Sequence, residues 1–427
     1  MELPRFRDLH PSARRVLEAA RQAAAPSLIY AVGGYVRDLL LGLHTLDIDL
    51  VVQGDAIAVA RHLGRRLKAA VTPHPRFGTA RLRLPEWITI DLATARSERY
   101  PKPAALPEVW PAPLLEDLGR RDFSINAMAA RLERDRFGPL IDPFSGYEDL
   151  RRGRIRVLHD RSFIDDPTRI FRAVRFEARH RFAIAPDTIR LINAALRHRV
   201  VRHLAGRRIF AELFLIAKEP SPPRVIRRLR ELGVLAAVHP KLAGPPAGPG
   251  LLDRLGRDLA LARSLPLRHM PLPGEAYLLG MLYRLHPRTA ATVIRRLDPP
   301  RQIAAKLFAD LATCRETARR LARAADLRQS RIASFLDPLS PEARLLLLAT
   351  LVRGSSRKAV LKYLTHSWRI VPALRGEDLR RLGFRPGPVY GAILSALRAA
   401  KLDGELPSIE DEVAFVRRRF AGRRLHN

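Results

Sequence analysis

Residues 28–52 read LIYAVGGYVRDLLLGLHTLDIDLVV, and this stretch decides the fold. The apolar run from Leu28 to Val32 reads as a buried strand. Gly33 and Gly34 let the backbone turn tightly and approach a ligand with no Cβ in the way. A short helix over 35–41 follows, closed by Gly42, so its free N–H groups and positive end sit just after the glycines. That is a phosphate seat, and Arg37 adds a guanidinium to it. The next strand carries Asp47 and Asp49 among Leu46, Ile48, Leu50, Val51 and Val52. Strand side chains alternate, so both carboxylates share the face turned to the glycines while Ile48 and Leu50 enter the core. Two like charges side by side call for a cation between them, and Mg²⁺ with its oxygen preference fits. A phosphate cradle beside paired aspartates suits two-metal phosphoryl or nucleotidyl transfer. Alone, a Gly-Gly is usually a turn and a D-x-D often solvated; the strand–GG–helix–strand order makes the combination specific.

In that order the stretch resembles the first motif of the class II tRNA nucleotidyltransferase and poly(A) polymerase family, one of the polymerase-beta-like nucleotidyltransferases. The resemblance implies an α+β fold class: a small head of mixed sheet and helices, followed by an all-α neck, body and tail. It places the head at 1–140, a nucleotide-selecting neck at 141–215, a body at 216–330 and a tRNA-binding tail at 331–427.

Outward from the opening stretch, residues 1–27 hold one helix, 13–24, and DAIAVARHLGRRLKAA reads as an amphipathic helix. Strands are expected near 79–84 and 87–94. In the second, WITIDLAT, Asp91 alternates out of the core and is the candidate third catalytic carboxylate, as a polymerase-beta-like site implies. Its plain alternative is an edge-strand aspartate. Residues 95–117, ARSERYPKPAALPEVWPAPLLED, carry five prolines after Tyr100, which predicts a loop without periodic structure. The resemblance makes this a flexible loop that helps the enzyme switch between nucleotides, beginning at Glu98 and Tyr100.

RRDFSINAMAA, from Arg120, is similar to the family's second signature. Arg120 and Arg121 suit a triphosphate because a guanidinium fork matches phosphate oxygens. Asp122 is expected to orient those arginines, Asn126 to bond a sugar or a backbone group, and Phe123, Ile125 and Met128 to be core. DPFSGYEDLRRGRIRVL, from Asp142, predicts a turn and then a short hairpin-like close. FIDDPTRIFRAVRFEARH follows, in which Asp165 or Asp166 can cap a helix ahead of Pro167. Asp166 and Arg169, three apart on one helix face, can imitate a base's pairing edge. The family motif is Glu-Asp-x-x-Arg, whose last Asp and Arg select CTP and ATP; here Asp165 stands in the first position. The alternative for the pair is a helix cap with its salt bridge. Arg172 and Arg175 can reach phosphates or the nucleotide, and Arg208 with Glu212 has the spacing of a helix-stabilising pair.

Residues 206–235 read as two helices split at 220–223, and 240–250 as a linker. Beyond it Leu and Ala recur at helical spacing over 251–265, 274–285, 290–297, 301–324, 329–335, 341–352 and 357–368. The only adjacent His-Asp, His159-Asp160, lies far from this region, so no phosphohydrolase domain of the His-Asp kind is expected. In the tail two helices flank the Pro-Gly-Pro turn at 386–388, where the resembling family grips tRNA.

Composition points the same way. The formal net charge of +33, mostly arginine, favours a polyanionic partner, nucleic acid before membrane. Cys314 is the single cysteine, which excludes an internal disulfide and a thiolate zinc site. No apolar run reaches membrane-spanning length and no signal-peptide pattern opens the chain, so a cytoplasmic location is expected, with no membrane and no evident protein partner. The implied reaction is Mg²⁺-dependent attack of a tRNA 3′-hydroxyl on the α-phosphate of CTP or ATP. In the resembling family CC-only members lack part of the flexible loop, and the loop here looks full length, so complete CCA addition ranks first. A-only addition ranks second and poly(A) synthesis third, with a catalytically silent RNA-binding homologue as the non-enzymatic alternative.

Overall fold

The computed structural model describes residues 3–244, 250–324, 327–352 and 354–421. By internal contacts the chain divides into two units, residues 1–212 with 227–238, and residues 213–226 with 239–427.

The first unit is built on a mixed seven-stranded sheet. Helix α1 (Pro11–Ala24) leads into β1 (Leu28–Val32), α2 (Gly33–Leu40), β2 (Asp47–Gln53) and α3 (Ala56–Leu67). Then come β3 (Ala70–His74), β4 (Thr79–Arg83), β5 (Thr89–Thr94), β6 (Arg96–Arg99), β7 (Glu108–Pro111), α4 (Leu114–Gly119), β8 (Ala129–Leu132) and β9 (Phe137–Ile141). The sheet order is β3-β4-β5-β2-β1-β8-β9, with β2 and β5 parallel and β1 antiparallel to β2 and β8. Ile48 and Leu50 are buried on the face that α3 covers. Gly64 of α3 comes so close to it that a Cβ there would lie 2.3 Å from Val71 Cγ2. Truncating Ile48 to alanine would cost roughly 2–5 kcal/mol.

The opposite face changes character along β2. Asp47 and Asp49 open it, but Val51, next on the same side, packs with Tyr30, Val32, Leu114, Leu118 and Ala129. Apolar residues of α4 therefore seat that helix on the aspartate-bearing face, and the chain leaves α4 at Arg120 and Arg121 pointing back towards the carboxylates. Gly42, at φ +71°, ends α2 as its position predicted.

Two expectations are corrected, and one strand is added. The 95–117 segment is not a structureless loop: β6 and β7 pair as an antiparallel hairpin, Glu98 opposite Val109, and α4 starts at Leu114. Pro101, Pro103 and Pro107 fall in the connection between the strands, where they break no ladder bond. β3, an exposed edge strand, carried no alternation to reveal it. The close after Asp142 is a helix, α5 (Gly146–Arg151), and a strand, β10 (Arg154–Ile155), that pairs in parallel with the distant β11 (Ala183–Ile184) rather than forming a hairpin.

Helices α6 (Ser162–Asp165), α7 (Thr168–His180), α8 (Pro186–Arg197), α9 (Gly206–Ile216), α10 (Pro222–Glu231) and α11 (Val234–Val238) follow. The 240–250 linker is partly a short 3₁₀ turn, Pro240–Leu242, and its residues 245–249 lie outside the described residues.

The second unit is helical in every expected segment. Helices α12 (Leu251–Ala262), α13 (Pro273–Leu282), α14 (Pro287–Leu297), α15 (Arg301–Arg323), α16 (Gln329–Leu336), α17 (Pro341–Thr350) and α18 (Ser355–Thr365) precede α19 (Gly376–Arg381), α20 (Pro388–Leu402) and α21 (Ile409–Arg419). Here α13 departs from the amphipathic pattern, buried all round from Gly274 to Leu282 as the centre of the bundle. Beside it Lys306 bonds the buried carboxylates of Glu275 and Glu342 at 2.7 and 2.6 Å. The tail has its own core of Leu379, Phe384, Ile393, Leu397 and Val416. Among the described residues no helix is long and apolar enough to cross a membrane.

Candidate active site

A cavity of about 920 Å³ opens in the first unit. It is lined by the catalytic and nucleotide-binding candidates from the sequence: Gly33, Gly34, Arg37, Asp47, Asp49, Asp91, Arg120, Arg121, Asp122, Asn126, Asp166, Arg169, Arg172 and Arg175.

The sheet supplies the acidic wall. Burial, then repulsion from Asp47, pushes the Asp49 carboxyl up to about 6. Burial, then the charge of Asp91, raises Asp47 as well. Gly33, at φ +64°, turns so tightly here that an added Cβ would meet Arg121 Nη1 at 2.6 Å, and one at Gly34 would lie 3.3 Å from Asp49 Oδ2. The glycines thus allow the main chain, a carboxylate and a guanidinium to converge. Asp91 stands in register beside Asp49, but Arg81 holds both its oxygens at 2.7 Å. Among the described residues no group of three or more His, Cys, Asp or Glu side chains is placed to hold a metal ion. The pair Asp47 and Asp49 nevertheless fits a divalent cation. Both are oxygen donors on one strand face, and burial first, then neighbouring carboxylates, raises both.

The opposite wall is basic and already paired. Arg120 donates to Asp117 Oδ1 through Nε and Nη2 at 3.0 and 2.6 Å, and to Glu98 Oε1 at 2.8 Å. Arg121 donates to Asp117 Oδ2 through Nη2 at 2.9 Å. Burial alone would raise Asp117, but Arg121 and Arg120 together bring it below the usual carboxylate range. Asp122 does not orient these arginines, contrary to expectation. Its Oδ1 takes Phe123 N and Asn126 Nδ2, and its Oδ2 takes Arg172 at 2.8 and 2.6 Å. Asn126 in turn accepts Arg37 Nη1 at 2.7 Å, so its partners are side chains. Arg37 and Arg172 both lie over the Phe176 ring. Phe123, Ile125 and Met128 are core.

The third wall comes from α7 and its lead-in. Asp166 Oδ1 accepts from Thr168 N, Thr168 Oγ1 and Arg208 Nη2 at 3.0, 2.6 and 2.8 Å, and none of these bonds uses Oδ2. Arg169 Nη1 donates to Ser162 Oγ at 2.7 Å and Nη2 to the Arg120 carbonyl at 2.6 Å. The expected Arg208–Glu212 pair is overtaken by tertiary partners. Arg208 bridges Asp166 and the carbonyl of Ala104 in the hairpin connection, and Glu212 takes the buried Arg175 at 2.8 Å.

The sequence reading missed Asp117, Arg81 and Phe176, and it gave Arg208 a different partner. Only Asp117 left a signal, its i+3 and i+4 spacing to Arg120 and Arg121.

Comparison with known proteins gives these features relatives. The profile of the Poly A polymerase head domain matches residues 29–156, and that described as "Probable RNA and SrmB- binding site of polymerase A" matches 181–244. An A-adding tRNA nucleotidyltransferase of Geobacter sulfurreducens is 38% identical over 390 residues, 90% of this chain and 44% of that protein. The chain therefore spans less than half the length of that relative. An A-adding tRNA nucleotidyltransferase of Halalkalibacterium halodurans is 32% identical over 92% of this chain and 88% of its own. A CC-adding one of Deinococcus radiodurans is 33% identical over 95% and 93%. Among solved structures, the Thermotoga maritima CCA-adding enzyme complexed with tRNA superposes with a TM-score of 0.75 at 30% identity, over 97% of both chains.

Proposed function

The chain belongs to the class II tRNA nucleotidyltransferase and poly(A) polymerase head family, and from that premise we propose that it adds nucleotides, without a template strand, to the 3′ end of tRNA. The observation that carries the reading is the convergence of the Asp47–Asp49 pair, a pre-paired arginine wall and the Asp166–Arg169 edge on one cavity of about 920 Å³.

Asp47 and Asp49 would hold Mg²⁺. Bound there, it would lower the pKa of the attacking 3′-hydroxyl and neutralise the departing pyrophosphate. Arg120 and Arg121, with the N-terminal N–H groups of α2, would bind and orient the triphosphate. Asp166 Oδ2 accepts and Arg169 donates, so the pair suits a base with an amino group beside a ring nitrogen, as in CTP and ATP. Asp122 and the Phe176 ring fix Arg172 at the rim. Rate enhancement would come from positioning and charge, with no side chain acting as general acid. The +33 net charge supports tRNA binding through the phosphate backbone.

AMP addition to tRNA ending in CC is the step shared by the two versions that compete. Complete CCA addition is the version favoured by the likeness to solved CCA-adding enzymes. A-only addition is favoured by the A-adding relatives in Geobacter and Halalkalibacterium. The deciding experiment supplies labelled CTP and ATP, singly and together, to tRNA ending at the discriminator base, at C and at CC. AMP transfer to the CC end is expected, and CMP transfer to the shorter ends separates CCA from A-only addition. No transfer to any of these ends would overturn the reading.

A further inference from the structure

One fully buried carboxylate has no part in the mechanism above, yet it lies beneath both arginines of the basic wall. We propose that Asp117 is a positioning residue: it sets Arg120 and Arg121 for the triphosphate and, through the Arg120 main chain, holds the base-selecting Arg169 in the same frame. The proposal deepens the nucleotidyl-transfer reading and rests on it.

Asp117 has no exposed surface, and its two oxygens are divided between the arginines: Oδ1 to Arg120, Oδ2 to Arg121. A single negative charge placed between two guanidiniums cancels their repulsion and fixes both planes. Bonds from Nε and Nη2 tie one edge of each arginine to the carboxylate. The remaining Nη1 of Arg121 is directed at the Gly33 turn, as the 2.6 Å approach to an added Cβ there records. Rotamer entropy that a free arginine would lose on gripping phosphate is then already spent in folding.

The second half of the frame is the main chain. Arg169 Nη2 donates to the Arg120 carbonyl at 2.6 Å, so the residue that reads the base hangs on the residue that reads the triphosphate. The competing account is an ordinary helix pair at i+3 and i+4, which stabilises α4 and nothing more. Such pairs are usually solvated; this acid is fully enclosed.

The test uses Asp117→Asn in the full chain with tRNA ending in CC. Asparagine keeps the shape, but its amide nitrogen faces a guanidinium and offers no acceptor there. The KM for ATP is expected to rise about tenfold or more, and inhibition by inorganic pyrophosphate to weaken by the same factor, with the KM for tRNA within about twofold. UTP and GTP should be excluded less well. In an Arg120→Ala/Arg121→Ala background the same substitution should change pyrophosphate inhibition less than twofold, because its route is gone. Unchanged ATP and pyrophosphate parameters, or losses that add in the combined variant, would overturn the proposal. If Asp117→Asn does not fold, Asp117→Glu keeps the buried charge but displaces it. It should still weaken pyrophosphate several-fold, and wild-type inhibition in that variant also overturns the proposal. Direct titration with inorganic tripolyphosphate separates the two readings. Wild-type protein inactive on tRNA, yet binding tripolyphosphate in an Asp117-dependent way, would sink the function while leaving the positioning role intact.

Discussion

The cavity's two charged walls are prepared in opposite ways. On the sheet side Asp47 and Asp49 share a strand face, burial first and then neighbouring carboxylates raise both, Asp91 acting on Asp47 and Asp47 on Asp49, and among the described residues no cation is bonded to either. Across from them Arg120, Arg121 and Arg172 each rest on a buried acid, Asp117 or Asp122, that itself stays ionised. The acidic wall therefore holds energy that a cation can release, and the basic wall holds geometry that a triphosphate can use. A charge left unmatched inside a protein marks where an ion is to come from solution. A charge matched by a buried partner marks a group that must not move.

The strongest way to break this contrast is to remove the unmatched side. Asp47→Ala or Asp49→Ala is expected to lower nucleotide addition by about a thousandfold or more, with tRNA binding within a few-fold. Filter binding and single-turnover transfer, measured side by side, decide it; near-wild-type turnover in Mg²⁺ would show the acidic wall to be incidental.

The second test falls on the wall between them. Asp166→Ala or Arg169→Ala should reduce the preference for CTP and ATP over UTP and GTP by about a hundredfold, since a mismatched base no longer leaves buried groups unpaired. Each nucleotide is offered alone on tRNA ending at the discriminator base or at CC. Undiminished preference in both variants would return the pair to a helix cap and move selection to the hairpin or the RNA.

How much of this was legible follows from the range of each interaction. The glycine turn and the two aspartates on β2 could be read because alternation and turn chemistry act over a few residues. Arg208 shows the limit. Its neighbour at i+4 is Glu212, yet it bonds Asp166 and the Ala104 carbonyl, and Glu212 turns to Arg175. Local spacing gave the plausible pair and tertiary packing replaced it. The hairpin at 96–111 was hidden because proline density was read as absence of structure, although Pro101, Pro103 and Pro107 occupy only its connection. Asp117 fell at the end of a segment that reads as a loop, and nothing local signals that Leu114 and Leu118 form a helix pressed onto the sheet.

A third test concerns stability. In the fold the Asp49 carboxyl sits at about 6, above its ordinary 3.8, so the protonated form is favoured by folding. That contribution is complete below pH 3.8 and is lost as pH rises through 6. At pH 7.5 without divalent metal, Asp49→Asn should therefore be more stable than wild type, on the order of 3 kcal/mol. The advantage should shrink as pH falls through 6 and vanish near 4. Added Mg²⁺ should reverse the order by stabilising only the wild type. Equal melting temperatures for the two proteins in EDTA at pH 7.5 would mean that Asp49 bears no such cost.

The smallest effect is expected at Asp91, where the contrast between the walls blurs. This carboxylate lies in register with Asp49 and its charge helps raise Asp47, yet it is matched, bidentate, by Arg81. Both side chains are more than a third exposed, at 47% and 36%, so water screens the pair. Exposed ion pairs are worth about 0.2–1 kcal/mol, and Arg81 can compete only weakly with a divalent ion for that carboxylate. Arg81→Ala would leave Asp91 unmatched and deepen the negative potential around Asp47. The Mg²⁺ concentration giving half-maximal transfer should then fall about two- to fivefold, with kcat at saturating Mg²⁺ within about twofold. Combining Arg81→Ala with Asp91→Asn should abolish that gain, because the charge that attracted the ion is gone. If Arg81→Ala leaves the Mg²⁺ requirement unchanged, the Arg81–Asp91 pair is a cross-strand fastening of β4 to β5, and the acidic wall ends at Asp47 and Asp49.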